Sequence, residues 1–523
     1  MPVVSRPPRR LRGRGADQGG QEQSVPRAVS SELWKASRWR RGCLIGLALL
    51  VLVAIFTAPA FHWLWFGLFW RHPTGTVLMC GAIALCARVL LRGPRKARLR
   101  LVRAVAPVLL ALLLYARIAD GLTRWYLVKG IQASQLETLP ETTEVRFLPL
   151  EVAEKFARNR IQESRYQVGD IDPQDVGGEI DWVAPRIPTG IWNRLFTQAD
   201  GFMVVKPDGQ VETVRAAMRY GEGMGITTHI TWPLWRLRYL VDLPEFYYLQ
   251  VQGEVLVVAP YVSYRYVFPV RVPYWGGVFI VHSSGQIEDL SPQQATTDQR
   301  LASQWLYPEA LARAIGDAWG YRGGILNAWL WHRDQAELPN MSGWHNQLPY
   351  LLPTPAGPQW FMGLEPHGPS YSIFKMLFID AHSGAVQIKE LPQDAGLIGP
   401  AAALGYVRSA FPTYNWYRQG DKESSGDVIA IEPRPIIRGE ILYWQASLTN
   451  TAYAGVRRTA LVNARTSEVI YFESLGEIQQ FLAGSFTGHG PATAAGPDVG
   501  KLSDAELLQL LRRITDELER RRK

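Results

Sequence analysis

Cysteine is scarce in this chain. Of its 523 residues only three are cysteines, Cys43, Cys80 and Cys86. Residues 87–523 therefore contain no thiol, which excludes a disulfide framework and thiolate chemistry from most of the sequence. A hydrophobic core has to hold that part together, and a composition with 47% apolar residues is sufficient to form one.

Motifs of the common enzyme classes are absent as well. The sequence contains no Gly-x-Ser-x-Gly, no His-Glu-x-x-His, no Walker loop and no dinucleotide fingerprint. We therefore predict a protein without catalytic residues, cofactor or metal ligands. One alternative stays open, a metal-dependent or other hydrolase whose site is assembled from residues distant in sequence. Its candidate residues are His332, His345, His367 and His382, with Glu365 and Asp380 nearby, although their spacing matches no ordinary zinc pattern.

The large carboxyl-terminal part has no excess of positive charge. The net charge of the chain is +9, but residues 1–103 hold 18 Lys and Arg against three acidic residues, a balance of +15. Residues 104–523 are left at −6. A nucleic-acid-binding domain is expected to be basic, so we predict that nucleic acid is not a partner.

Residues 44–70 lack charged side chains altogether. At about 1.5 Å per helical residue this stretch can cross a bilayer. Further apolar stretches at 76–91 and 104–116 predict three transmembrane helices within residues 43–125. Ten basic residues precede the first stretch and six lie within residues 92–103. The positive-inside rule then predicts a multi-pass plasma-membrane protein in contact with the lipid bilayer.

The same rule sets the predicted orientation. Residues 1–42 form a disordered basic arm in the cytoplasm, and everything after about residue 121 lies outside it.

Internal repetition is what the sequence has in abundance. A strand phrase led by glycine occurs four times: GEIDWVAPRI (178–187), GEVLVVAPYV (253–262), GPQWFMGLEP (357–366) and GEILYWQASL (439–448). A turn phrase follows each one: VVKPDGQV (204–211), IVHSSGQI (280–287), IDAHSGAV (379–386) and VNARTSEV (462–469). From leading glycine to turn residue the distances are 31, 32, 27 and 28 residues, which indicates duplication of one structural unit.

A helical segment that opens with proline precedes each pair of phrases, at Pro149, Pro233, Pro308 and Pro400. Each unit therefore predicts one helix that covers one face of a small antiparallel sheet, with the other face in water. In the first unit we expect Ile180, Trp182 and Ala184 to point inward, and Glu179 and Asp181 to point outward.

The turn glycines Gly209, Gly285 and Gly384 are expected to supply a positive φ angle to the hairpins. Ser467 takes their place in the fourth unit, where we expect a different turn type.

The predicted fold class is α+β, with N-terminal transmembrane helices followed by tandem units of a helix plus an antiparallel sheet. The predicted units are 145–215, 230–292, 305–392 and 398–475. A flexible linker at 483–500 and an amphipathic helix at 502–522 follow. In that helix Leu507, Leu511, Ile514 and Leu518 have the spacing of a short a/d seam, which predicts self-association or docking of a partner.

The third and fourth turn phrases carry a family resemblance. Asp380 to Val386 reads DAHSGAV, and Asn463 to Val469 reads NARTSEV. A helix followed by an antiparallel sheet whose last hairpin reads Asp-Ala-x-Thr-Gly-x-Val resembles the PepSY domain, a small prokaryotic extracytoplasmic module. The first two units depart from it, with Val205 and Val281 where the family has aspartate. The resemblance implies a non-catalytic role in binding or restraining peptidases and in sensing at the cell surface.

These observations predict an extracytoplasmic binding, regulatory or scaffold protein without catalytic activity. Its ligand is expected to be a protein, a peptide or an envelope polymer, held by strand addition at an open sheet edge. Thirteen tryptophans between Trp182 and Trp444 favour core packing over a ligand platform.

Overall fold

The structure is a computed structural model of the chain. It describes residues 57–62, 66–67, 73–92 and 114–490, apart from 146–147, 177, 340–347, 371, 393–394, 418–425 and 451–454. The basic arm, His345 and the C-terminal helix with its leucine seam lie outside the described residues, so the predictions for them stay predictions.

In the part of the chain that the structure describes, a short 3-10 helix, Ala58–Phe61, and two α-helices precede the sheets. Helix α1, Pro73–Arg92, falls on the second predicted span. Its first turn carries Thr74 and Thr76 and its last two turns carry Arg88 and Arg92. The apolar stretch between them is shorter than the roughly 20 residues that a bilayer requires.

Helix α2, residues 114–129, contains Asp120 and Arg124, which pair at 3.0 Å. Among the described residues no helix combines the length and the apolar character needed to cross a membrane. This finding contradicts the predicted N-terminal transmembrane helices and the predicted multi-pass plasma-membrane localisation. Most of residues 44–70 and 104–113, where the first and third predicted spans fall, lie outside the described residues.

The first repeat is an antiparallel sheet with one covering helix. Strand β1, Ser134–Gln135, precedes it and pairs with the third repeat. The elements of the repeat are α3 (Leu150–Arg160), β2 (Tyr166–Val168), β3 (Asp172–Val176), β4 (Glu179–Pro188), α4 (Ile191–Phe196), β5 (Ala199–Val205) and β6 (Val211–Met218). Strands β2 and β3 both pair with β4, and the order continues through β5 to the edge strand β6.

The second repeat has a shorter helix and longer strands. Its elements are α5 (Thr231–Leu237), β7 (Tyr247–Val251), β8 (Glu254–Val267), β9 (Val270–His282) and β10 (Ile287–Leu290), in the order β10-β9-β8-β7. The helix begins two residues before Pro233, and not at the proline as predicted. Helix α6, Pro292–Thr297, follows the sheet.

The third repeat contains an additional segment between its helix and its sheet. Its elements are α7 (Glu309–Ala318), β11 (Ala336–Glu337), β12 (Tyr350–Thr354), β13 (Gly357–Pro366), β14 (Ser372–Ile373), β15 (Lys375–Asp380) and β16 (Val386–Glu390). Strand β1 pairs in parallel with β16, the sheet continues through β15 and β13, and both β11 and β12 pair with β13. Strand β17, Leu397–Ile398, pairs with β14.

The fourth repeat is a four-stranded meander in the order β18-β19-β20-β21. Its elements are α8 (Pro400–Ala410), β18 (Val428–Arg438), β19 (Ile441–Asn450), β20 (Val456–Asn463) and β21 (Val469–Phe472), followed by α9 (Leu475–Leu482). Helices α3, α7 and α8 lie where the prolines predicted them, with Pro149 and Pro308 immediately before the first residue and Pro400 as the first residue.

The structure is mainly β, with 38% strand and 29% helix, so the predicted α+β class with N-terminal transmembrane helices is wrong. Within the described residues, each repeat contributes one helix before its sheet and at least four strands, and the sheets pack on one another. Tyr247, Trp360 and Trp444, from three different repeats, share one hydrophobic core, and Phe202 and Tyr248 share a second one. Residues of different repeats therefore form common hydrophobic cores.

This packing overturns the expectation that one face of each sheet is in water. Residues 180–186 of β4 are buried without interruption. Asp181, which was expected to point outward into solvent, is only 3% exposed. The alternation of polar and apolar residues was misleading because a second sheet covers the face opposite α3.

Tryptophans in three repeats make the same contact. The indole N–H groups of Trp182, Trp360 and Trp444 donate to the carbonyls of Leu148, Tyr307 and Ile398, at 3.0, 3.0 and 2.8 Å. In each case the accepting carbonyl lies two residues before the first residue of the helix of the same repeat. A buried indole thus fixes the start of each helix on its sheet, in agreement with the core interpretation of these residues.

The four hairpin turns share a left-handed residue. Gly209, Gly285 and Gly384 have φ angles of 84°, 92° and 77°, and Ser467 has 61°. The Ser467 N–H donates to the Asn463 carbonyl as the Gly384 N–H donates to that of Asp380. Serine thus adopts the glycine conformation, and the fourth turn is of the same type as the third. It does differ from the first two turns, where the N–H groups of Gly209 and Gly285 donate to carbonyls three residues earlier, those of Lys206 and His282.

Glutamates of one repeat accept hydrogen bonds from the helix start of another. Glu245 accepts from the N–H groups of Glu309 and Ala310 at the start of α7, at 3.0 and 2.8 Å. Glu432 accepts from the Leu150 N–H at the start of α3, at 3.0 Å and 282 residues apart in sequence. These contacts satisfy helix N–H groups that have no acceptor within the helix.

Candidate ligand-binding site

The first-repeat sheet carries polar side chains on the face opposite α3. Residues directly opposite one another on antiparallel strands share a face. Gln174 on β3 lies opposite Asp181 on β4. The next set of directly opposite residues has one member on each of β3, β4, β5 and β6, namely Asp172, Val183, Val204 and Glu212. We call this face, defined by Gln174, Asp181 and that set, the inner face.

A cavity of about 500 Å³ lies against the inner face, between it and β7 of the second repeat. Its lining includes Phe202, Val204, Glu212, Tyr248, Arg300 and Gln304. A second pocket of about 540 Å³ lies between residues 142–145, the first-repeat turn and α9. We favour the cavity at the inner face as the candidate site, because none of the residues around the second pocket has a buried side-chain atom lacking a hydrogen-bond partner.

Buried polar atoms without partners occur on the inner face and in the cavity wall, and of their residues Gln304 lines the cavity. Gln174, Asp181 and Gln304 are 0%, 3% and 5% exposed. Among the described residues, neither amide atom of Gln174 has a hydrogen-bond partner, and neither Asp181 Oδ1 nor Gln304 Oε1 has one. Leaving such an atom unpaired costs about 1–3 kcal/mol. A guest molecule or ordered water that supplied hydrogen bonds here would recover that free energy.

The other amide atom of Gln304 explains how the cavity wall is held. Gln304 Nε2 donates to the Asp175 carbonyl at 2.9 Å, and the Trp305 indole donates to the Pro173 carbonyl at 2.9 Å. Both carbonyls lie on the outer edge of β3. The 304–305 segment therefore covers that edge and holds Gln304 Oε1 beside the cavity.

Carboxyl groups crowd this part of the molecule. Burial raises the pKa of Asp181 to about 7, and the nearby Glu179 and Glu144 carboxylates add to the shift. Burial also raises the pKa of Asp172 well above its usual range, and the carboxylates of Glu245, Glu309, Glu222 and Asp170 act in the same direction.

Two more acidic groups of the second repeat titrate abnormally. Burial raises the pKa of Glu222 to about 7, although Glu222 accepts a hydrogen bond from the Tyr248 hydroxyl at 3.1 Å. Burial raises the pKa of Glu245 to about 7 as well, against the opposing effect of its two helix N–H donors. Clustered carboxyls with raised pKa values are typical of functional sites.

The basic side chains beside the cavity already have acidic partners. Arg300 contacts Glu288 at 2.8 Å and Asp298 at 2.7 Å. Lys206 forms an ion pair with Glu212. Lys206 therefore offsets part of the negative charge of the inner face, whereas Arg300 is held by carboxylates outside it.

Strand β6 borders the same cavity and forms an open sheet edge. It is eight residues long, and no described strand pairs with its outer side. Glu212 and Val214 of β6 line the cavity. Other edges are shorter or covered, for example β21, where the Tyr471 N–H and carbonyl are both bonded to His489.

The histidines singled out in the third repeat do not form one site. The rings of His332 and His367 stack with centroids 3.9 Å apart, and His367 also contacts Glu337. Strand β13 places Glu365 opposite Glu337, and burial raises the pKa of Glu365 to about 7. His382 lies elsewhere and contacts the carbonyls of Gln304 and Thr296.

Asp380 serves the turn, where its carboxylate accepts from the N–H groups of His382 and Ser383. In the part of the chain that the structure describes, no three His, Cys, Asp or Glu side chains are arranged to hold a metal ion.

The sequence interpretation missed Asp172, Gln174 and Gln304 and placed Asp181 in solvent. A signal was present in the strand phrases. GEIDWVAPRI has aspartate at position 181, where GEVLVVAPYV has Leu256. A charged residue at a position where another repeat has leucine indicates that this face of the sheet has a different role in the first repeat.

Comparison with known proteins yields no relative: no family model matches the chain, and no curated protein or solved structure is significantly similar to it.

Proposed function

We propose that this chain is a non-catalytic binding protein that holds an extended peptide segment of a partner protein by strand addition to β6. The observation that carries the proposal is the eight-residue outer edge of β6, with which no described strand pairs, beside a cavity of about 500 Å³. An added strand gains affinity from main-chain hydrogen bonds and specificity from pockets for alternate side chains. The β6 edge offers the main-chain hydrogen-bonding groups, and the cavity offers a side-chain pocket.

The register of β6 shows which groups a guest strand would use. The Lys206 N–H donates to the Gln210 carbonyl, and hydrogen-bonded pairs then alternate along the hairpin. Thr213 is opposite Met203 in a pair that is not hydrogen-bonded, so its N–H and carbonyl point away from β5. Thr213 is also exposed, and it is therefore the central contact for an added strand.

The PepSY-like turn phrases favour the same class of function. That resemblance implies binding or restraint of another protein and brings no catalytic residue with it. The competing hydrolase proposal has no comparable support, because the residues it relies on are dispersed among a stacked pair, a turn and a segment outside the described residues.

Selection of peptides followed by removal of one backbone donor tests the proposal. The full chain is immobilised and random nine-residue peptides are selected on it by phage display. The most enriched peptide is then synthesised and its Kd measured by calorimetry. Replacing Thr213 by proline removes the outward N–H without removing a hydrogen bond to β5, and we expect Kd to rise about tenfold or more.

Thr213→Val is the matched control, because it changes the side chain and keeps the N–H. Its Kd should stay within about twofold of that of the unchanged chain, since an exposed substitution of this kind has little effect. A second readout covers the case in which the proline variant fails to fold: amide hydrogen exchange at Val211 and Thr213 in the unchanged chain should slow when the peptide binds. Equal binding by both variants, or unchanged exchange at these amides, would overturn strand addition at β6.

A further inference from the structure

Exposed apolar side chains are concentrated in four segments of the chain. Among the described residues after 130, seventeen large apolar side chains are exposed, and all but Val176, Tyr406 and Ile441 lie in these segments. The segments are residues 190–198, 225–240, 264–275 and 321–333. Phe196 and Phe268 are 80% and 75% exposed. Single exposed apolar residues are normal, but a concentration of this kind marks a surface that a partner covers.

Two of the segments contact the residues that precede the sheets. The His62 ring stacks on the Trp235 ring, with centroids 4.0 Å apart. The Thr74 hydroxyl, at the start of α1, donates to the Pro269 carbonyl at 2.9 Å. The segments that contain Trp235 and Pro269 therefore adjoin the N-terminal helical residues.

The other two segments are joined to the same part of the molecule. Trp329 packs on α2, because a Cβ atom at Gly121 would come within 2.8 Å of its indole, and Tyr115 of α2 lies against the first turn of α1. Leu195 of α4 lies 3.3 Å from where a Cβ atom of Gly225 would be. All four segments thus lie on the side of the molecule that carries α1 and α2. We call this side, defined by the four segments, the aromatic surface.

The aromatic surface carries positive charge. Its four segments contain seven arginines and no aspartate or glutamate. All of the arginines except Arg271 are exposed, and Arg238 forms an ion pair with Asp289. An anionic partner therefore meets no carboxylate within these segments. Aromatic and aliphatic side chains accompanied by arginine match the interface between water and anionic lipid headgroups.

The shape of the aromatic surface favours lipid over a folded protein. None of the six residues of α4 is buried, and the rings of Trp192 and Phe196 stack with centroids 6.2 Å apart. Phe268 stands at the tip of the hairpin between β8 and β9, and the short π-helix Asn327–Trp331 forms another projection. A protein interface requires one contiguous, closely packed core, whereas separate apolar projections can each enter a fluid headgroup layer.

We propose that the aromatic surface rests on an anionic lipid surface, with its aromatic side chains among the headgroups and its arginines at the lipid phosphates. This contact is interfacial and requires no segment to cross the bilayer. It is a second binding function, distinct from strand addition at β6. An arginine near an anionic lipid surface strengthens binding electrostatically, and the apolar side chains add the free energy of leaving water.

A fluorescent label at the hairpin tip tests the proposal. In the full chain Cys43, Cys80 and Cys86 are replaced by serine, and Phe268→Cys supplies a single thiol for a nitrobenzoxadiazole label. The probe is a vesicle of phosphatidylcholine with one third phosphatidylglycerol. We expect the vesicles to shift the emission of the label to shorter wavelength, and brominated acyl chains in the same vesicles to quench it, because the label leaves water for the headgroup layer.

Two further label positions locate the contact. Phe196→Cys lies in a different segment and should respond as Phe268→Cys does, because the aromatic surface carries both. Tyr406→Cys is the matched control, since Tyr406 is an exposed aromatic residue of α8 outside the four segments. The emission of its label should stay unchanged. A response at Phe268 without one at Phe196 would contradict a single surface.

One arginine tests the contribution of charge. In the chain labelled at Phe268, Arg265→Gln should raise the vesicle concentration that gives half of the response about fivefold. Arg465→Gln removes an exposed arginine in the turn of the fourth repeat and should leave that concentration unchanged. Vesicles of phosphatidylcholine alone should give a weaker response, and an equal response to both compositions would refute the role assigned to the arginines.

The remaining outcomes decide between lipid and other partners. If the labels at Phe268 and Phe196 both stay in water with either vesicle, the lipid assignment is wrong and a protein partner covers the aromatic surface. Equal responses at Phe268 and Tyr406 would indicate adsorption of the whole chain and overturn the assignment to this side. None of these results bears on strand addition, which Thr213→Pro and the peptide Kd test separately.

Discussion

The first repeat and the two repeats after it have the same framework but different inner surfaces. The first pair of strand residues across each turn provides the alignment, because its first member, Val205, Val281 or Ile379, lies opposite Trp182, Val257 or Trp360 in the first, second and third repeats. In this alignment Asp172 corresponds to Tyr247 and Tyr350. Gln174 corresponds to Leu249 and Leu352. Asp181 corresponds to Leu256 and Gln359. The second and third repeats thus share a tyrosine and a leucine where the first has Asp172 and Gln174.

The difference separates what holds a repeat together from what a repeat can bind. Tyr247, Leu249, Tyr350 and Leu352 all belong to the largest hydrophobic core. In the first repeat the polar residues Asp172 and Gln174 take their places. A duplicated unit keeps its helix, strands and turn, and one copy can exchange core residues for polar ones because its neighbours supply the missing core.

Substitutions in the framework that the repeats share should lower the free energy of unfolding the most. Trp182→Val gives the first repeat the residue that the second has at Val257, and removes a buried side chain together with its hydrogen bond to Leu148. We expect the free energy of unfolding to fall by about 3 kcal/mol or more. Urea denaturation followed by circular dichroism measures it.

Trp192→Val is the control for that substitution, because Trp192 is 74% exposed on α4. It should change the free energy of unfolding by less than about 0.5 kcal/mol. A similar small loss for Trp182→Val would show that the indole contact does not stabilise the repeat.

The polar inner face can be reverted to the residue of the second repeat. Asp181→Leu should raise the free energy of unfolding at pH 8 by about 1–3 kcal/mol, because it removes a buried carboxylate without a full set of partners. Urea denaturation measures the effect, and Asp208→Asn is the control, because Asp208 is exposed in the turn of the same repeat.

The sign of the pH dependence follows from the raised pKa. The pKa of Asp181 is about 7 in the folded chain, against an ordinary value of 3.8. The folded state therefore binds a proton more tightly than the unfolded state, and stability falls as the pH rises from about 4 to about 7. The advantage of Asp181→Leu should then be larger at pH 8 than at pH 5, and an equal gain at both values would contradict the burial of a charged carboxylate.

The smallest expected change in the free energy of unfolding concerns the turn of the fourth repeat. Ser467 adopts a φ of 61°, which is unfavourable for a residue with a side chain. Ser467→Gly restores the residue of the other three turns and should raise the free energy of unfolding by about 0.5–1 kcal/mol. Thr466→Gly, one residue earlier, should lower it, since Thr466 accepts from the Glu468 N–H and gains nothing from a left-handed preference. Urea denaturation distinguishes the two.

Local chemistry made part of this fold predictable. Prolines indicated where α3, α7 and α8 begin, and turn glycines indicated hairpins with a positive φ, because both residues restrict the backbone without help from neighbours. The order of the strands along the chain followed from the repeated phrases. Signals of this kind act over a few residues and survive any tertiary arrangement.

The candidate site was not predictable in the same way. The cavity forms where the first repeat packs its sheet against β7, and no local pattern encodes that contact. Asp181 alternates with apolar residues just as a solvated strand residue does. For the stretch at 76–91 hydrophobicity alone predicted a span, and the described helix α1 is not long and apolar enough to be one.

The bond between Glu432 and the Leu150 N–H has a consequence for biosynthesis. A ribosome releases α3 long before it translates its acceptor in the fourth repeat, so the nascent first repeat leaves the exit tunnel with its helix start uncapped. A stalled or truncated message that stops short of β18 would produce a chain whose earliest helix never receives that contact. Such a chain would be incompletely packed at the helix of the repeat translated first, and quality-control proteases would meet it there.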